Sequence, residues 1–208
     1  MLSLGRLHLI TDTRPGCDPL AVTRAALSVA GPDLVVQVRV ADSASDRETY
    51  DLAVRVMDLC AEAGATCLVN DRLHVALAVG AAGGHVGDSD LPVAAARRVL
   101  GPTAVLGVTA RTPATAAEAV SAGASYLGVG PCYATTTKDG LPAPIGPAGI
   151  RDVTGAVAVP VIAIGGVTPA RVPELLAAGA YGVAVVGAVS TAADPARATA
   201  ALVGALSC

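Results

Sequence analysis

Short apolar runs rich in Val, Ile and Leu recur along the chain, each followed by a turn cluster and then by an alanine-rich stretch with helical periodicity. Eight such runs read as strands: residues 7–12, 35–40, 67–71, 84–88, 105–110, 126–130, 161–166 and 182–189. Several are apolar throughout rather than alternating, the pattern of parallel strands covered on both faces. Helices are predicted over 18–29, 47–62, 91–100, 113–122, 170–178 and 194–206. Thr112-Pro113 opens one of them and Gly123 closes it, as helix-end chemistry requires. Eight strand-plus-helix units within 208 residues predict an α/β fold, a single (β/α)8 TIM barrel over 1–208. The alternative is an open doubly wound sheet. Its phosphate fingerprint belongs after the first strand, where the chain has Thr11-Asp12-Thr13-Arg14-Pro15-Gly16 instead.

Composition narrows the picture. The chain is 53% hydrophobic yet holds no Phe or Trp, so its core must be built from Ala, Val, Leu and Ile. A net charge of -3, with no cluster of Lys or Arg, argues against a nucleic acid or an anionic membrane as partner. No apolar run is long enough to cross a bilayer, and residues 1–6 lack the pattern of a secretory leader, so a cytoplasmic location is expected. The five cysteines, Cys17, Cys60, Cys67, Cys132 and Cys208, show neither disulfide nor metal-ligand spacing. A homo-oligomer is left open.

In a barrel of this kind the active site lies at the carboxyl ends of the strands, which makes one list of residues far apart in sequence. Strand two ends with Gln37 and Arg39, strand three with Asn70-Asp71-Arg72, strand four with His85, Asp88 and Asp90, and strand five with Thr109 and Arg111. Strand six is followed by Thr135, Thr137 and Lys138, the single lysine among 14 basic residues. A compact ammonium beside hydroxyls and glycine suits a phosphate contact; the plain reading is a solvated loop lysine. Gly166 and Gly187, at the ends of strands seven and eight, let backbone N–H groups approach an anion, and a monophosphate site is expected there. They otherwise serve only tight turns. Asp71 and Asp90 could share Mg2+, which takes one or two carboxylates plus water and substrate phosphates, or each could cap a helix. His85 and His74 read as packing or surface residues.

The chain resembles the thiamine phosphate synthase family over nearly its whole length. The resemblance rests on Leu9-Ile10-Thr11-Asp12, Val36-Gln37-Val38-Arg39, Val69-Asn70-Asp71-Arg72, Gly84-His85-Val86-Gly87 with Asp90-Leu91-Pro92, Gly128-Val129-Gly130-Pro131 with Thr135, Thr137 and Lys138, and Ala163-Ile164-Gly165-Gly166. It implies a Mg2+-dependent transferase that joins the pyrophosphate ester of hydroxymethylpyrimidine to a thiazole phosphate and releases pyrophosphate. Asp71 and Asp90 are then the Mg2+ ligands, and Arg39, Asn70 and Lys138 contact the pyrophosphate. Gln37 and Thr109 lie near the pyrimidine and pyrophosphate, Thr135 and Thr137 near the thiazole partner, and Gly166, Val186 and Gly187 around its phosphate. Lys138, Arg39 and Thr109 carry the catalytic roles.

Departures from that pattern are specific. Arg39-Val40-Ala41 stands where the family has Arg-Glu-Lys or Arg-Asp-Lys, and Arg14 or Arg111 are the candidates to replace the missing lysine. Thr109 stands for serine, Arg111 for histidine, Gly187 for serine and Asp88 for glutamine. A thiazole tautomerase and a non-catalytic phosphate-ligand-binding paralogue are the alternatives; retention of Asp71 and Asp90 favours the synthase.

Overall fold

The computed structural model describes residues 4–137 and 140–207. Eight parallel strands, β1 (Leu7–Ile10), β2 (Leu34–Val38), β3 (Thr66–Asn70), β4 (Gly83–Val86), β5 (Val105–Ala110), β6 (Tyr126–Val129), β7 (Val161–Ile164) and β8 (Gly182–Val185), pair in chain order, and β8 pairs back onto β1. This closed ring with helices between its strands is the expected (β/α)8 barrel. Several strands stop short of their expected ends. At β2 the cause is visible: the Thr11 hydroxyl accepts the Arg39 N–H at 2.8 Å and donates to the Arg39 carbonyl at 2.7 Å, which takes both groups out of the sheet ladder.

The helices are α1 (Pro19–Ala30), α2 (Asp46–Ala63), α3 (Leu73–Val79), α4 (Val93–Leu100), α5 (Pro113–Ser121), α6 (Gly146–Thr154), α7 (Val172–Ala177), α8 (Gly187–Ser190) and α9 (Pro195–Leu206). Asp18, Ser45, Thr112 and Asp194 cap α1, α2, α5 and α9 with side-chain oxygens. No helix had been expected at α3 or α6, and neither carries a side-chain cap. The eighth strand is corrected: it ends at Val185, and residues 187–190 form α8 rather than more strand. An apolar run as short as 182–189 does not distinguish a strand from a strand followed by one helical turn.

Two apolar shells result. The larger lies between strands and helices and is built of Ala, Val, Leu and Ile with Cys60, Cys67 and Cys132. The inner shell is small: Ile10, Val35, Leu68, Tyr126, Ile162 and Ala184. His8, Gln37 and His85 are also buried. Gly107 makes room for this unusual filling, because a Cβ there would lie 2.3 Å from the Tyr126 ring and 2.4 Å from His85 Nδ1. Among the described residues, no helix is long and apolar enough to cross a membrane.

Candidate active site

The carboxyl ends of the strands open into a cavity of about 1070 Å³. Strand alternation turns His8, Gln37, Asn70, His85, Thr109 and Tyr126 toward it, and the loops add Arg39, Asp71, Asp90, Thr135, Thr137, Gly166, Val186 and Gly187. Every expected site residue among those described therefore lines one cavity; Lys138 lies outside the described residues, between the lining residues Thr137 and Gly140.

The acidic side is built by β3 and β4. Asp71 has φ 60, and among the described residues it is the non-glycine with a positive φ. Its N–H donates to the His85 carbonyl at 2.8 Å, which anchors this left-handed turn at the end of β3. Backbone held in a sparsely populated region at a cavity wall is a hallmark of functional positions. Neither aspartate caps a helix: the N-cap positions of α3 and α4 are Arg72 and Pro92, without side-chain caps. Asp90 Oδ2 instead accepts the Gly87 N–H at 2.7 Å. Among the described residues no group of three His, Cys, Asp or Glu side chains is arranged for a metal. Two carboxylates on a cavity wall, with Asp88 beside them, make an all-oxygen donor set of the kind Mg2+ accepts when water and substrate phosphates complete it.

Beside this pair, Gln37 Nε2 donates to Asn70 Oδ1 at 2.5 Å, tying β2 to β3. The arginines divide sharply. Arg72 donates to Thr49 and to the Ala44 carbonyl, and Arg111 to the Gly130 and Ala143 carbonyls at 3.0 and 2.7 Å. Arg171 donates to the Gly166 carbonyl at 2.6 Å and stacks 4.2 Å over the Tyr133 ring. Arg14 is held by both oxygens of Asp12 and is not on the cavity. Of the two candidates to replace the missing lysine, Arg14 is held by Asp12 away from the cavity, whereas Arg111 lines it while its guanidinium straps the loop after β6. Arg39, whose backbone Thr11 clasps, keeps its guanidinium out of any such bond among the described residues.

The opposite side is built by β6 to β8. Gly165 and Gly166 have φ 94 and 63, and Thr135 and Thr137 hydroxyls meet at 3.1 Å. The two glycines of the expected phosphate cradle differ. A Cβ on Gly166 would be 2.6 Å from the Ala134 carbonyl oxygen, whereas one on Gly187 would meet, among the described residues, only Thr137 Oγ1, at 3.7 Å. Gly166 is required by the fold; Gly187 leaves open space at the start of α8.

A family model described as thiamine monophosphate synthase matches residues 7–189. The chain belongs to this family. A thiamine-phosphate synthase of Salinispora arenicola is 74% identical over 208 residues, covering 100% of both chains, and one of Haloquadratum walsbyi is 47% identical over 201 residues, covering 95% of this chain and 89% of its own. Among solved structures, a thiamine phosphate pyrophosphorylase from Pyrococcus furiosus superimposes with a TM-score of 0.87 at 34% identity, covering 97% of this chain and 95% of that one. A 3-hexulose-6-phosphate synthase, TM-score 0.68 at 21% identity, shares the fold.

His85 and Tyr126 were missed as site residues. His85 is buried, and desolvation lowers its pKa to about 4, so it is neutral near pH 7. Its Nδ1 lies 3.0 Å from the Tyr126 hydroxyl and its Nε2 3.1 Å from Thr109 Oγ1. The signal was present: Gly107 and Gly128 sit at inward positions of neighbouring strands, where missing side chains leave room for two large polar ones.

Proposed function

We propose that this chain is a thiamine phosphate synthase, which condenses hydroxymethylpyrimidine pyrophosphate with a thiazole phosphate to give thiamine phosphate and pyrophosphate. The observation that carries this reading is the placement of two unlike surfaces across one cavity, an acidic one with an arginine and a glycine cradle suited to a phosphate. Asp71, Asp90 and Arg39 belong to β2–β4, and the glycine cradle belongs to β7 and β8 on the other side of the ring.

The reaction needs little covalent help. The C–O bond to pyrophosphate breaks with its electron pair leaving on oxygen, the aminopyrimidine stabilises the methylene cation, and the thiazole nitrogen donates its lone pair to form the new C–N bond. Arg39, Asn70 and Lys138 meet the charge that builds on the leaving group, with Thr109 beside them. Gln37 orients the pyrimidine, Thr135 and Thr137 flank the thiazole, and Gly166, Val186 and Gly187 take its phosphate. Asp71 and Asp90 hold Mg2+, whose charge offsets the pyrophosphate when it is bound. Catalysis here is positioning and electrostatic stabilisation. Cys17, Cys60, Cys67 and Cys132 are free thiols, which suits the cytoplasmic location we propose.

The test is a coupled assay of pyrophosphate release by purified protein with Mg2+ and both substrates, with thiamine phosphate detected by mass spectrometry. Turnover that requires both substrates is expected. Binding of the thiazole phosphate without any product would overturn the reading and favour the non-catalytic paralogue.

A further inference from the structure

Tyr126 is buried in the barrel interior, where desolvation keeps its phenol protonated. A buried hydroxyl proton needs an acceptor. The hydrogen bond that the structure gives this hydroxyl runs to His85 Nδ1, at 3.0 Å. The neighbouring His8 offers its ring to Tyr126 only edge-on, with centroids 5.2 Å apart, and its Nε2 faces the Gly5 carbonyl at 3.2 Å. Were Nδ1 of His85 protonated, the phenol would have to accept there and its own proton would be stranded. The favoured state of a neutral His85 is therefore bare at Nδ1 and protonated at Nε2, which faces Thr109 Oγ1 at 3.1 Å.

We propose that Tyr126 and His85 are positioning residues that hold Thr109 as a hydrogen-bond donor toward the leaving pyrophosphate. With one lone pair of Oγ1 occupied by the His85 Nε2–H, the threonine proton turns into the cavity. Thr109 Oγ1 lies near the acidic side: a Cβ on Gly87 would be 3.4 Å from Asp90 Oδ2 and 3.8 Å from Thr109 Oγ1. A donor suits an oxygen gaining negative charge, whereas a hydroxyl presenting lone pairs would oppose it. Gly107 is part of the device, since a Cβ there would be 2.4 Å from both the Tyr126 hydroxyl and His85 Nδ1. The proposal rests on the synthase reading only for the identity of the group that Thr109 meets.

Nitrogen-15 NMR of histidine-labelled protein reports the tautomer, and steady-state kinetics report its use. Expected are a wild-type His85 protonated at Nε2 alone and, in Tyr126→Phe, mixed tautomers. In that variant kcat should fall about fivefold to tenfold with KM for the thiazole phosphate unchanged. Thr109→Val, which removes the hydroxyl, should lose turnover. A wild-type His85 protonated at Nδ1 overturns the proposal without reference to activity or to the folding of any variant, as does a folded Tyr126→Phe with unchanged tautomer and kcat. If wild type forms no thiamine phosphate, the synthase reading fails while the tautomer measurement still stands.

Discussion

Ser190 Oγ donates to Asp12 Oδ2 at 2.8 Å, joining the loop after β1 to the short helix α8 across 178 positions of sequence. Arg14 holds the same carboxylate from the other side through two bonds, at 2.9 and 2.6 Å. The wall that carries Gly187 is thus pinned from the first loop of the chain.

Asp12→Ala should cost about 1.5 to 3 kcal/mol, the range for hydrogen bonds to a charged group. The Arg14 and Ser190 bonds hold the Asp12 carboxyl well below the usual range. A depressed folded pKa gives stability that is complete above the unfolded value near 4 and is lost as pH falls below it. Urea denaturation should show the gap between wild type and Asp12→Ala at pH 7 and its narrowing at pH 3. An unchanged gap would mean that packing rather than charge holds α8.

Gly187→Val should fold normally, because a Cβ there meets, among the described residues, only Thr137 Oγ1, at 3.7 Å. It should raise KM for the thiazole phosphate and leave binding of the pyrimidine pyrophosphate intact. Gly166→Ala should instead lose stability, since φ 63 and the Ala134 carbonyl 2.6 Å away both oppose a Cβ. Calorimetric titration with each substrate separates the two; equal loss of both ligands in folded Gly187→Val would mean one shared site.

Chelation should abolish pyrophosphate release, and Asp71→Asn and Asp90→Asn should each lower turnover with small losses of stability, because neither carboxylate caps a helix. Lys138→Ala should lower kcat by about thirtyfold to several hundredfold, equivalent to about 2 to 4 kcal/mol, with a smaller effect on KM. No second lysine can compensate, since position 41 is alanine. Full activity in excess chelator would remove the metal from the mechanism.

Burial lowers the pKa of His8 to about 3 and of His85 to about 4. The unfolded chain protonates these rings near 6.5, so their neutral burial costs nothing above that pH and weakens the fold as pH falls toward 4. Each contributes a slope of about 1.4 kcal/mol per pH unit in that window. Urea midpoints at pH 7.5, 6 and 5 should fall accordingly, and His8→Gln should flatten the curve. Constant stability across that range would show that both rings take protons in the folded state.

Much of this molecule was legible from its sequence. Strands such as 105–110 and 161–164 are covered on both faces, so their apolar runs announce them, and helices opened by Asp18, Ser45, Thr112 and Asp194 carry their caps in plain view. Once eight units were counted, the polar residues after each strand had to share one end of a barrel. The uncapped α3 and α6 had no such marker.

The sequence by itself determined the barrel and which residues could meet at its mouth, because local periodicity and strand direction settle both. Only the tertiary structure decided what those residues do there. It separated Arg39 from the committed Arg14, Arg72 and Arg111, distinguished Gly166 from Gly187, and turned His85 from a packing residue into the link between Tyr126 and Thr109. Each distinction depends on a bond or a close approach between positions remote in the chain, and such pairings leave no periodic trace in the sequence.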